Sequence, residues 1–177
     1  EVTRFLVCHE LFKRIKNIHG SIIQVGVLDG NKLFSFAHFS EIYEPRNYTR
    51  KIYGFDTFNS YAENSFSSKD KKLKKGTRSA PFNLKNLEEH VDLFNQSCLF
   101  NQFKKIELIK GDVVKIIPNF LKKNKHIVCS LLDLSISLYK PELATLKNIW
   151  PRMPKGSIVL FGSLGHYDSP SATHLLQ

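Results

Sequence analysis

Gly20–Asn31, reading GSIIQVGVLDGN, is the stretch whose reading decides the fold. An apolar run (Ile22, Ile23, Val25) meets a glycine turn, Gly26–Gly30, and the apolar KLFSFAHF follows at once. That is the pattern of a buried parallel strand running into a loop and then a helix. Glycines in such a loop let backbone approach a ligand and take φ values closed to other residues. The loop is not the full G-x-G-x-x-G fingerprint, so a plain strand-to-helix turn and a cofactor loop both fit it.

Working outward, the remaining chain repeats the alternation. Upstream, residues 2–18 carry Phe5, Cys8, Phe12 and Ile15 at helical spacing, with Gly20 as the stop. Downstream, the expected strands are Ile22–Val27, Lys51–Asp56, Lys105–Lys110, Ile127–Leu134 and Ser157–Phe161. Between them the periodicity predicts helices over Lys32–Ile42, from about Asn83, after Gly111-Asp112, and from Pro141. The polar segment Asn59–Pro81 has no periodicity and reads as a mobile lid or partly disordered loop (59–81). Strands alternating with helices imply right-handed crossovers and a mostly parallel sheet, an α/β fold in one domain over 1–177.

Composition bounds the function. The chain has 177 residues, 42% of them apolar, and no stretch approaches the roughly 18 unbroken apolar residues of a membrane span. The N-terminal helix (1–19) has charges throughout and is not a signal peptide. Cys8, Cys98 and Cys129 are widely spaced and lack a C-x-x-C pairing, which fits a reduced cytoplasmic chain without a zinc site. The net charge of +10 could serve nucleic acid. However, the densest basic run, Lys69–Lys75, has no interleaved aromatics and reads as a solvated loop, so neither nucleic acid nor membrane is an expected partner.

Ligands of such sheets sit at the carboxyl ends of the strands. Those ends are Gly26–Gly30, Asp56, Gly111-Asp112, Asp133 with Ser135, and Gly162-Ser163. Asp56 follows Gly26 by about one βαβ unit, where a carboxylate can accept two hydrogen bonds from ribose hydroxyls. Its ordinary alternative is a loop cap, and that of Asp112 is a helix N-cap. Asp133 shares a strand face with Ser135 and Ser137 by period-two alternation and is a candidate general base if burial raises its pKa. The other reading is an Asp satisfied by backbone donors. His166 and Tyr167 follow the fifth strand and could face a substrate by position.

KIYGFDTF, IELIKGDVVKIIPNFLKKN and SLYKPELATLKNIWPRMPKGSIVLF resemble the macrocin-type O-methyltransferases, a branch of the class I S-adenosylmethionine-dependent methyltransferases. The likeness runs in one register from about Phe5 to Gly165. It implies the Rossmann-like class I methyltransferase fold, a twisted, mostly parallel sheet with helices on both faces. It also implies S-adenosyl-L-methionine as cofactor, touched by Gln24, Gly26 and Gly30, with ribose contact from Asp56 and adenine contact near Asp112. Gln24 replaces the family's Glu and can hydrogen-bond the cofactor's amino-acid end without a negative charge.

The departures lie at the chemistry. Where the family ends its fourth strand L-H-x-D-x-D-L-Y-E-P-T, this chain reads LDLSISLYKPE, so Ser135 and Ser137 replace two carboxylates and Asp133 replaces His. Gly162 and Ser163 stand where the family has two more acids. Magnesium requires oxygen ligands of high charge density in near-octahedral geometry, so no metal site is expected. The implied function is O-methylation of a sugar-like hydroxyl on a small-molecule acceptor, with a catalytically inactive cofactor-binding or dimerisation module as the alternative. Family members continue past Gln177 into an antiparallel pair of strands, so the resemblance reads those C-terminal strands as missing. A sheet lacking them exposes an edge, which favours pairing with another subunit as a homodimer.

Overall fold

The computed structural model describes residues 2–59, 65, 67, 70, 84–165 and 171–176. Its elements are α1 (Val2–Ile15), β1 (Ser21–Val25), α2 (Asn31–Tyr43), β2 (Ile52–Asp56), α3 (Leu84–Ser97), β3 (Ile106–Lys110), α4 (Val113–Lys123), β4 (Cys129–Leu134), α5 (Tyr139–Ile149), β5 (Ile158–Phe161) and a short α6 (Ser171–Leu175). All paired strands are parallel, in the order β3-β2-β1-β4-β5. The expected α/β alternation is therefore present, and the strand order reverses between β1 and β4. Open α/β sheets leave their ligand crevice at such a switch point.

The boundaries differ from expectation for local reasons. β1 stops at Val25 because Gly26 turns the chain at φ 87°. α1 ends at Ile15 rather than 18, and a turn closed by Ile18 N–H to the Ile15 carbonyl (2.8 Å) follows it. Gly20 is required by packing and not as a helix cap: a Cβ there would lie 2.8 Å from the Val128 carbonyl oxygen. Of the expected 59–81 loop, most residues lie outside the described ones. Asp70 is described and buried, and its carboxylate accepts from Tyr139 N–H at the start of α5 (3.0 Å).

Period-two alternation sorts the strands' side chains onto two faces. Ile22, Ile52 and Leu131 pack with Phe12, Leu33, Phe36 and Leu87 under α1, α2 and α3. Ile23, Phe55, Leu132 and Leu134 pack with Ile117 and Leu121 of α4 and Ile149 of α5. Fully burying one such side chain contributes about 1.5–3 kcal/mol, so both layers are held mainly by these faces. The same alternation puts Gln24 of β1 and Asp133 of β4 on the α1/α2 face. They are direct partners in the β1–β4 register. Two polar side chains thus face each other beneath α1 in an otherwise apolar layer.

Arg50 fixes α1 over that face. Its guanidinium is buried, pairs with Glu44, and donates to the carbonyls of Ile15, Lys16, Ile18 and Gly20 and to Ser130 Oγ. The carbonyls at and just after the end of α1 converge on this one side chain. Orphan carbonyls at a helix end need such partners when they are buried.

Candidate active site

The loop after β1 is held in a strained shape. Gly26, Leu28 and Gly30 have φ values of 87°, 53° and 81°. A Cβ on Gly26 would lie 2.7 Å from the Ser135 carbonyl, so only glycine fits against the loop that follows β4. Leu28 is not glycine, and a residue held in the left-handed region costs about 1–3 kcal/mol unless its surroundings enforce it. Asp56 does so. Its Oδ2 accepts from Val27 N–H (2.7 Å) and Leu28 N–H (3.2 Å), and its Oδ1 from Phe58 N–H (2.9 Å) and Thr57 Oγ1 (3.4 Å).

Those bonds make Asp56 the cap of the loops after β1 and β2. A carboxylate has about four acceptor positions, and here backbone N–H groups and Thr57 reach them. Asp112 likewise caps α4, accepting from Val114 N–H at 3.1 Å. Gly30 precedes α2, and a Cβ there would meet Leu87 Cδ1 at 2.9 Å, so its small size serves packing against α3. Asp56, Asp112 and Gly30 are not among the residues lining the two cavities described next.

A cleft opens above the carboxyl ends of β1, β4 and β5, roofed by α1. One part, about 380 Å³, is lined by Gln24, Gly26, Val27, Asp29 and Asn31 together with Phe5. The other, about 430 Å³, is lined by Val7, Ser137, Leu160, Phe161, Gly162 and Ser163. Both are of ligand-pocket size. Arg4, Cys8, Leu28, Lys32 and Ser135 line both parts, so the two meet there. Gln24 is buried, with its Nε2 donating to the Gly26 carbonyl (3.2 Å) and its Oε1 without a partner among the described residues. A buried acceptor without a donor costs about 1–3 kcal/mol, and an N–H donor in the first cavity would remove that cost.

Asp133 is 0% exposed. Lys32 Nζ donates to its two oxygens at 3.1 and 3.0 Å, and Ser135 Oγ donates to Oδ1 at 2.6 Å. Lys32 Nζ also reaches Ser135 Oγ at 2.5 Å. Burial pushes the Asp133 carboxyl above its usual range, while the Lys32 ammonium and the Ser135 hydroxyl pull it back. Burial leaves Asp133 with side-chain partners, Lys32 and Ser135, where the other sequence reading expected backbone donors. Lys32 was missed from sequence, although one signal was present. A cation in the first turn of a helix opposes the helix dipole and calls for a compensating anion. Cys8 lies over the same group, its thiol pushed up to about 11, chiefly by burial.

No known family model matches the sequence, and no curated protein matches it. Solved structures do. CalS11, described as a calicheamicin methyltransferase, superposes with a TM-score of 0.92 at 30% identity, over 99% of this chain and 69% of its own. A second structure of CalS11, described as an apo TDP-rhamnose 3'-O-methyltransferase of calicheamicin biosynthesis, matches with a TM-score of 0.83 at 30% identity over the same shares. The chain belongs to an O-methyltransferase family. The O-methyltransferase NovP shares the fold, with a TM-score of 0.78 at 16% identity over 98% of this chain and 69% of that one.

Seen as an O-methyltransferase, the site fits the family's cofactor better than its metal. The unpartnered Gln24 Oε1 and the side-chain-free Gly26 supply an acceptor and an open backbone where the methyl donor's amino-acid end would lie. Among the described residues the donors that a divalent cation would need do not come together: no group of three or more His, Cys, Asp or Glu side chains converges. Asp133 is buried behind Ser135 and Lys32, and the Lys32 ammonium already pairs with it. Gly162 stands at one of the family's acidic positions, where a Cβ would lie 2.8 Å from Ser135 Oγ. His166 and Tyr167 lie outside the described residues.

Proposed function

We propose that this O-methyltransferase moves the methyl group of S-adenosylmethionine to a hydroxyl of a small, sugar-like acceptor without a divalent cation. The observation that carries the reading is the two-part cleft over the β1/β4 switch point, whose halves meet at Lys32 and Ser135. When bound, S-adenosylmethionine supplies a methyl group already activated as a sulfonium substituent, so positioning carries most of the rate. Gln24 Oε1 accepts from the ammonium of its methionine portion, and Gly26 lets the loop backbone approach.

The second half of the cleft receives the acceptor. Ser163 contributes a buried hydroxyl without a partner among the described residues. Phe161 and Leu160 supply apolar wall suited to a sugar's CH face, and Arg4 and Lys32 favour an acceptor with negative charge nearby. α1 roofs the cleft and limits water around the reacting atoms.

Calorimetry with S-adenosylmethionine and S-adenosylhomocysteine tests the cofactor half, with weaker binding expected in Gln24→Ala. No heat of binding to the wild type would sink it. TDP-rhamnose, the acceptor named for CalS11, is the first compound for transfer assays. A chelator should leave the rate unchanged, and loss of transfer on chelation would overturn the metal-free claim.

A further inference from the structure

We infer that Ser135 is the catalytic residue that takes the acceptor's proton, passing its own to Asp133, with Lys32 as the resident cation that keeps this pair assembled. The inference rests on the methyl-transfer reading above and assigns the proton path within it. Asp133 is 0% exposed and cannot touch an acceptor. Ser135 lines both halves of the cleft and touches Asp133. A hydroxyl has one donor and two acceptor positions. Ser135 donates to Asp133 Oδ1 at 2.6 Å and accepts from Lys32 Nζ at 2.5 Å, which leaves one lone pair. Ser135 is also uncovered by its neighbours, because both adjacent strand ends carry glycine. A Cβ at Gly26 would strike its carbonyl at 2.7 Å, and one at Gly162 its Oγ at 2.8 Å.

The step balances in atoms and charge. The acceptor O–H breaks, its proton goes to Ser135 Oγ, and the Ser135 proton goes to Asp133 Oδ1. As this happens the acceptor oxygen bonds the methyl carbon and the carbon–sulfur bond breaks, turning sulfonium into neutral thioether. One positive and one negative charge vanish together, and Lys32 keeps its own. Asp133 later returns the proton through Ser135 to water. Burial raises the Asp133 proton affinity toward that of a useful base, and Lys32 limits the rise so that the carboxyl still ionises. The groups facing Asp133 are Lys32 from α2, Cys8 from α1, Gln24 across the register on β1, and Ser135.

The test uses the whole chain and three readouts. Ser135→Ala should bind S-adenosylmethionine with wild-type affinity by calorimetry. Its kcat with TDP-rhamnose or another sugar hydroxyl should fall about a hundred- to ten-thousandfold, with little change in KM, and Ser135→Thr should recover most of the loss. An unchanged kcat in Ser135→Ala overturns the inference. So does cofactor binding without transfer to any hydroxyl acceptor, because no proton is then moved; absence of cofactor binding would instead remove the functional reading beneath. Infrared titration of the cofactor-free protein needs no acceptor. The Asp133 carboxyl band, assigned by its loss in Asp133→Asn, should titrate at higher pH in both Ser135→Ala and Lys32→Met. A titration unmoved by Ser135→Ala overturns the hydrogen-bonded relay.

Discussion

Lys32→Met isolates the electrostatics of the site. The substitution keeps an unbranched apolar stem in α2 and removes the ammonium 3.0 Å from a carboxylate that is fully buried. Removing one partner of a buried pair costs about 3–5 kcal/mol. The Lys32 side chain is 24% exposed, so water can reach the gap and the lower figure, about 3 kcal/mol, is expected at neutral pH and above. The pH dependence follows from linkage. The Asp133 folded-state pKa is raised, so the folded protein binds this proton more tightly than the unfolded chain. Its penalty is absent below the unfolded value of about 3.9 and grows as pH rises through the folded value. Lys32→Met lifts the folded value further, because the ammonium that lowers it is gone. The variant should therefore come closest to wild-type stability in acid, where Asp133 is protonated in both, and fall progressively below it as pH rises. Urea unfolding at a series of pH values reads the difference directly. In thermal melts it corresponds to about 6–12 °C for a chain of this size. Lys32→Met with Asp133→Asn should regain most of the loss, since the buried charge is gone. A pH-independent loss, or no recovery in the double variant, would refute the reasoning.

The other predictions follow from single contacts. Arg50→Met removes a buried guanidinium from the partly buried Glu44 and from the carbonyls that follow α1, so a loss of about 3 kcal/mol is expected in urea unfolding. Cofactor affinity should fall with it, because α1 roofs the cleft; a variant of wild-type stability would contradict the clamp. Gly26→Ala meets the Ser135 carbonyl at 2.7 Å and a φ of 87°, so both stability and calorimetric affinity for S-adenosylmethionine should drop. Gly162→Asp restores one family carboxylate but crowds Ser135 Oγ. It should lower transfer without creating magnesium dependence, and magnesium-stimulated transfer would show that the site still accepts a metal. Cys8, Cys98 and Cys129 are buried, with thiols pushed up to about 11, 11 and 12. Ellman's reagent at about pH 8 should react slowly with the native protein and fully once it is unfolded.

Much of the fold was legible because its signals are local. The apolar runs Ile22–Val25 and Leu131–Leu134 are buried on both faces of the sheet, and such strands read as continuous hydrophobic stretches whatever lies beside them. Gly26 was legible for the same reason, since a tight turn into a helix leaves few other choices. The two expected ligands Asp56 and Asp112 show the limit of that method. A carboxylate at a strand end is equally suited to a ribose and to a backbone N–H, and the bonds to Val27, Leu28 and Val114 are visible only in the fold.

Sequence by itself determined the alternation of elements, the parallel sheet, and the serines and glycine that follow β4 and β5. Tertiary structure decided what stands beside them. Lys32 and Asp133 are 101 positions apart; a place at a helix start marks Lys32 as a cation that calls for an anion, but nothing local names Asp133 as that anion. They meet because β4 crosses over to lie against β1, which puts Asp133 on the face that α2 covers. A salt bridge formed by strand order has no local pattern to read. The glycine loop that begins at Gly26 could be found from residues 20–31, but the cation beside it could be found only in the assembled sheet.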